Sequence, residues 1–139
     1  MLYKHDASLE EKQVSRFCET IWNKHDKSAI HEILHESFVF RGSLGLEKNG
    51  YEEFIEYLDM IHGALQDYSC VIKEMVSEQS KVFAKMQFTG IHRGTLLGFK
   101  PTGKRVSWDG AALFHFNEGK VSSLWVLGDI KSLETQLHE

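Results

Sequence analysis

The chain has 139 residues, 42% of them hydrophobic, with two cysteines and one proline. That is the size of one domain with enough apolar content for a core, and 1–139 is read as a single unit. Sixteen Lys and Arg against twenty Asp and Glu give a net charge of −4. This argues against a phosphate-binding surface and hence against nucleic acid as a partner. Two cysteines make no disulfide framework. No apolar run approaches the roughly 20 residues of a membrane span, and Met1–Asp6 lacks the apolar run of a signal peptide. A cytoplasmic location without membrane attachment is expected by default.

Ser8 and Glu11 form a capping box. Behind them Val14, Phe17, Cys18, Ile21 and Trp22 recur at helical spacing, which predicts a first helix over 9–23. Asn23 to Asp26 is a polar break, and Ser28 is placed to cap a short second helix carrying Ile30, Ile33 and Leu34. Phe38 to Phe40 reads as a short strand closed by Gly42, Ser43 and Gly45. Gly50 precedes a third helix with Tyr51, Phe54, Ile55, Leu58, Ile61 and Leu65 on one face, ended by Asp67.

From Tyr68 the period changes to two. Strands are predicted over 68–76, from Val82 to His92, from Arg105 to Phe116 and over 121–128, then a closing helix over 129–137. Val82, Ala84, Met86, Phe88, Gly90 and His92 share one face. Val106, Trp108, Gly110, Ala112, Phe114 and Phe116 share another. Asn117-Glu118-Gly119 makes a hairpin turn. Helices segregated to one face of an antiparallel sheet define an α+β domain. Gly90, Gly94 and Gly110 imply strong bending, so the sheet is expected to curve around one internal pocket.

Centring the first hairpin on Thr95–Gly103 sets His92 opposite Val106 and Phe88 opposite Gly110. Centring the second on Asn117–Lys120 sets Trp125 opposite Ala112 and Asp129 opposite Trp108. In this register His92 and Asp129 share one end of one apolar face with Trp108 between them. A bulge would flip that face. A carboxylate beside Trp108 would be partly desolvated, which suits proton transfer near neutral pH. Asp129 reads equally well as the cap of the closing helix, and both roles can coexist. His92 alone reads as a hydrogen-bonded core histidine.

His31-Glu32-Ile33-Leu34-His35 spells H-E-x-x-H, a zinc protease pattern. Its helix is short, its apolar side is Ile30, Ile33 and Leu34, and no third ligand segment follows. No metal is expected there.

Thr89-Gly90-Ile91-His92-Arg93-Gly94, Leu96-Leu97-Gly98, Pro101-Thr102-Gly103-Lys104, Glu118-Gly119-Lys120-Val121, Trp125, Asp129 and Gln136-Leu137 together resemble the SnoaL-like polyketide cyclase family. The likeness is strong over 88–137 and loose before it. It implies the cone-shaped nuclear transport factor 2-like α+β barrel. It also implies ring closure by intramolecular aldol chemistry without cofactor or metal. By resemblance Asp129 is the acid/base and His92 the group that hydrogen-bonds the carbonyl as charge develops. Trp108, Phe88 and Trp125 are candidate substrate contacts, and so is Arg41, which would favour an anionic group if it pointed inward. The expected partners are a small hydrophobic molecule and a second copy of the chain, paired through the outer-face Phe83, Ile91 and Leu113. A non-catalytic binding or dimerisation module of the same fold is the alternative.

Overall fold

The computed structural model describes residues 8–138. Ser8 caps α1 (Leu9–Arg16) as predicted: the Glu11 N–H donates to Ser8 Oγ at 3.1 Å and the Ser8 N–H to Glu11 Oε1 at 3.0 Å. The helix continues to Asn23, but over Phe17–Asn23 it widens into a π-helix, with Phe17, Cys18, Ile21 and Trp22 all buried. Such segments recur at functional sites. Asp26 rather than Ser28 caps the next turn, accepting from the Ser28 N–H at 3.0 Å. That 3-10 turn (Lys27–Ala29) runs into a single α-helical turn, α2 (Ile30–Ile33).

β1 (Leu34–Arg41) begins directly behind α2. The H-E-x-x-H run therefore crosses from helix to strand, and His31 and His35 do not share a helical face. Among the described residues no group of three or more His, Cys, Asp or Glu is placed to hold a metal ion. A short strand the sequence reading missed, β2 (Glu47–Asn49), pairs back onto β1. α3 spans Gly50–Ala64 and stops three residues before Asp67, because Leu65 already belongs to β3 (Leu65–Glu78). β4 (Lys81–His92), β5 (Arg105–Asn117) and β6 (Lys120–Gly128) follow the predicted alternation, and α4 (Ile130–His138) closes the chain.

The six strands form one curled sheet in the order β2-β1-β6-β5-β4-β3. It is mixed rather than purely antiparallel, since β1 runs parallel to β6. α1, its π extension and α3 lie in the concavity, where Val14, Phe17, Ile21, Phe54, Leu58 and Ile61 meet Phe38, Phe114 and Leu124 in one core. No described helix is long and apolar enough to cross a membrane.

Two amide side chains close the sheet where strand partners run out. Asn23, at the end of the π-helix, bonds both the N–H of Cys70 (2.7 Å) and its carbonyl (3.0 Å) on the edge strand β3. Gln136, on α4, does the same to Ser107 of β5, at 2.9 and 2.7 Å. Each supplies the donor–acceptor pair that a neighbouring strand would otherwise provide, and unpaired buried backbone groups are costly.

The first predicted hairpin register is two residues out, which leaves every face unchanged: Gly90 pairs with Val106, Phe88 with Trp108 and Met86 with Gly110. The second is one residue out, and that does matter. The Asn117–Lys120 turn forms as expected, with Glu118 and Gly119 at φ 55° and 79°. A bulge between His115 and Phe116 then slips the pairing, so Ala112 faces Val126 and Leu113 faces Trp125. One inserted residue reverses every side chain beyond it. Val126 turns in, and Trp125 and Leu127 turn out, 46% and 50% exposed.

Candidate functional site

The sheet and helices enclose an internal hollow. It is lined by Phe17 and Trp22 of the π-helix, Phe40 and Ser43 at the end of β1, and Tyr57 of α3. Tyr68, Cys70, Met86 and Phe88 of β3 and β4 and Leu124 and Val126 of β6 complete it. As the side chains stand it holds about 20 Å³, room for about one water molecule. The expected pocket therefore exists, aromatic and apolar, but its own side chains nearly fill it.

Its few polar groups are neutral. Burial pushes the Tyr57 phenol above its ordinary value, partly offset by hydrogen bonds with Ser43 and the Leu44 backbone. Burial lifts Tyr68 further, so both hydroxyls stay protonated at neutral pH.

Of the residues singled out from the sequence, Phe88 lines the hollow. Trp108 stands one layer behind it, 2% exposed, its ring 5.3 Å from that of Phe88. A Cβ placed on Gly128 would lie 3.2 Å from Trp108 Nε1 and 2.8 Å from the Ser43 carbonyl oxygen, so indole N–H, Ser43 and Gly128 converge. The Trp108 N–H is buried there with no hydrogen-bond partner among the described residues.

His92 is fully buried and does not line the hollow. The Thr102 N–H donates to its Nδ1 at 3.2 Å, which puts the ring proton of the neutral imidazole on Nε2. That Nε2 is also buried without a partner among the described residues.

Asp129 departs from the expected geometry. It is exposed, lies outside the hollow, and accepts from the Ser132 N–H at 3.1 Å as the cap of α4. The bulge is the reason. With Gly128 opposite Gly110, the Asp129 N–H donates to the Asp109 carbonyl at 2.8 Å, so Asp129 is not opposite Trp108. His92 and Asp129 are not brought together on one inner face. The same slip removes Trp125 from the hollow. Arg41 joins Trp125 on the outer side, its guanidinium 5.8 Å from the ring centroid and bonded to the Val126 carbonyl. It does not reach the hollow.

Sequence reading, which puts Ser43 in a turn, misses Ser43, Tyr57 and Tyr68. Tyr57 lies three residues from Phe54 and one from Leu58, a spacing that marks the buried face of α3. Tyr68 and Cys70 keep the inward parity of β3.

Trp22 is held from outside. His62 donates from Nε2 to the Trp22 carbonyl at 2.8 Å and stacks on His25 with centroids 4.0 Å apart, while His25 meets Asp59 at 2.8 Å. Burial, reinforced by His25, holds the His62 pKa below its ordinary 6.5, although the Trp22 carbonyl and Asp59 pull the other way. The unfolded chain then takes up this proton first. The contribution of His62 to stability is present above pH 6.5 and is lost as pH falls from there toward the folded value. His62→Gln is expected to show a shallower loss of stability below pH 6.5 than the wild type, read by urea melts across pH. Parallel curves would exclude the effect.

The curled sheet with helices in its concavity is the nuclear transport factor 2-like fold, the class to which its structural neighbours belong. The family model of the SnoaL-like polyketide cyclases matches residues 12–137, and the chain belongs to that family. Among solved structures, TsrD from Streptomyces laurentii is 22% identical, with 96% of this chain and 98% of that one covered and a TM-score of 0.85. A SnoaL-like polyketide cyclase candidate from Jannaschia sp. CCS1 is 20% identical over 96% and 97%, TM-score 0.85. AclR from Streptomyces galilaeus, a candidate hydroxylase, is 24% identical over 93% and 84%, TM-score 0.80. At these identities the likeness establishes the fold. No curated protein matches.

Proposed function

We propose that this SnoaL-like protein binds a small, largely apolar carbonyl compound in the aromatic hollow and rearranges it by cofactor-free, aldol-type acid/base chemistry. The observation that carries the reading is the orphan indole N–H of Trp108 beside Ser43. A buried donor without a partner costs roughly 1–3 kcal/mol, which an acceptor on a guest molecule would recover. A carbonyl oxygen is such an acceptor, and a donor aimed at it stabilises the enolate that forms when a neighbouring C–H proton leaves. Asp129 follows Gly128, against which Ser43 and Trp108 converge, and is the proposed base. To act it must leave its capping bond to Ser132, and the aromatic wall must yield to admit the guest. His92, held by Thr102 as the Nε2–H tautomer, is a second donor of the same kind.

The test is exchange of α-protons. Aromatic methyl ketones and β-diketones are incubated with protein in D2O and followed by NMR. Wild type is expected to accelerate exchange, and Asp129→Asn to lose about 10²–10⁴-fold while keeping its circular dichroism. Undiminished exchange in the variant would remove Asp129 from the mechanism. No acceleration by the wild type would leave the non-catalytic alternative.

A second reading concerns assembly. Phe83, Leu113 and Trp125 stand in one cross-strand row on the outer face, with Phe83 44% and Trp125 46% exposed. Covering that face in a homodimer would remove them from water. Light scattering is expected to give twice the chain mass, and a strict monomer would count against it.

A further inference from the structure

Cys18 and Cys70, the chain's two cysteines, come from the π-helix and from β3, 52 residues apart, and their sulfurs lie 3.4 Å from each other. Neither has a role in the proposed chemistry. Cys70 is held in place by the Asn23 clip on its backbone and by a 3.8 Å contact of its sulfur with Met86 Sδ. Cys18 belongs to the same π segment as Asn23, so both sulfurs are fixed by one local arrangement. Both are buried, at 1% and 3% exposure, yet both border a groove on the outside of the molecule with Ser15, Glu19, Asn23 and Met75. Cys70 also lines the internal hollow. Cys70 therefore stands between hollow and groove, with Cys18 beside it on the groove side.

We infer that Cys18 and Cys70 form an oxidation site, a dithiol that peroxide converts to an intramolecular disulfide joining the π-helix to the edge strand. One sulfur attacks a peroxide oxygen and the O–O bond breaks, leaving a sulfenic acid and one water. The second sulfur displaces the sulfenic oxygen as a second water. Two thiols and one hydrogen peroxide thus give one disulfide and two waters, with sulfur oxidised and peroxide oxygen reduced. The partner sulfur is already in van der Waals contact, so the second step competes well with over-oxidation. The first step is slow, because the hydrogen bond to Cys70 and burial keep the Cys18 thiol protonated. Once formed, the link fixes the segment carrying Phe17 and Trp22 to the strand carrying Tyr68, adjoining walls of the hollow whose Trp22 and Tyr68 rings lie 5.2 Å apart.

The test treats the folded protein with hydrogen peroxide and measures intact mass, non-reducing peptide maps and Tm. A loss of about 2 Da, one Cys18–Cys70 cross-linked peptide and reversal by dithiothreitol are expected. Tm should rise on oxidation, since the link restricts the unfolded chain. Cys18→Ser and Cys70→Ser, folded by circular dichroism, should each show no such loss. Gains of about 16 or 32 Da without a cross-link, disulfide-linked dimers, or thiols that react only after unfolding in guanidinium would overturn the inference. The outcome is independent of whether the hollow catalyses anything.

Discussion

Phe54→Ala is expected to remove about 3–5 kcal/mol of stability. Phe54 is fully buried on the inner face of α3. Its ring centroid lies 5.1 Å from Phe40, 5.5 Å from Phe38, 5.8 Å from Phe17 and 5.9 Å from Trp22. It therefore ties α3 to both the π-helix and β1, and three of its four ring neighbours line the hollow's wall. Truncation loses the transfer free energy of the ring and leaves a space that four rigid rings refill poorly. A domain of this size has only about 5–15 kcal/mol in total, so the variant should melt far below wild type or be isolated partly unfolded. Urea melts measure the loss. A change below about 1 kcal/mol would mean the rings collapse together and that Phe54 is not the hub its contacts describe.

Gly110→Ala tests the opposite fault, too much volume instead of too little. A Cβ on Gly110 would stand 2.4 Å from Cε2 and 3.0 Å from Cζ of Phe88. The Phe88 ring cannot simply turn aside, because Trp108 lies 5.3 Å away on one side and Tyr68 stacks at 6.4 Å on another. Relief requires the ring to press into the hollow or β5 to shift against β4. Overpacking of this kind costs about 1–3 kcal/mol. The variant should lose stability and also quench or shift tryptophan emission, since Trp108 must move with Phe88. Adding Phe88→Leu to Gly110→Ala should restore part of the loss, which distinguishes a clash at that ring from a general backbone effect. No recovery in the double variant would place the strain elsewhere.

Much of this architecture is legible in the chain itself. The spacing of Val14, Phe17, Cys18, Ile21 and Trp22 gives the first helix its full reach to Asn23, and alternation from Val82 to His92 and from Val106 to Phe116 gives β4 and β5 their inner faces. These patterns survive because they reflect burial of one face, which each residue satisfies locally. The ordered motifs over 88–137 pointed to the family that the match over residues 12–137 establishes. Phe88 was found for the same reason, as an inward position on a strand with clean alternation.

Tertiary structure alone decided the rest. A single extra residue on β6, Ser122, opposite the step from His115 to Phe116, turned Trp125 and Leu127 outward and set Asp129 in water as a helix cap. Alternation cannot announce a bulge, because the pattern on either side of it is equally regular. The parallel pairing of β1 with β6 and the strand at Glu47–Asn49 depend on partners more than 70 residues away or on a loop too short to carry a period. Likewise Ser43, Tyr57 and the Trp108 N–H meet only because three distant segments curl to one point. Sequence pattern fixes which side chains seek the interior. Which of them touch, and how little room they leave, follows from register and volume, and those are properties of the assembled sheet.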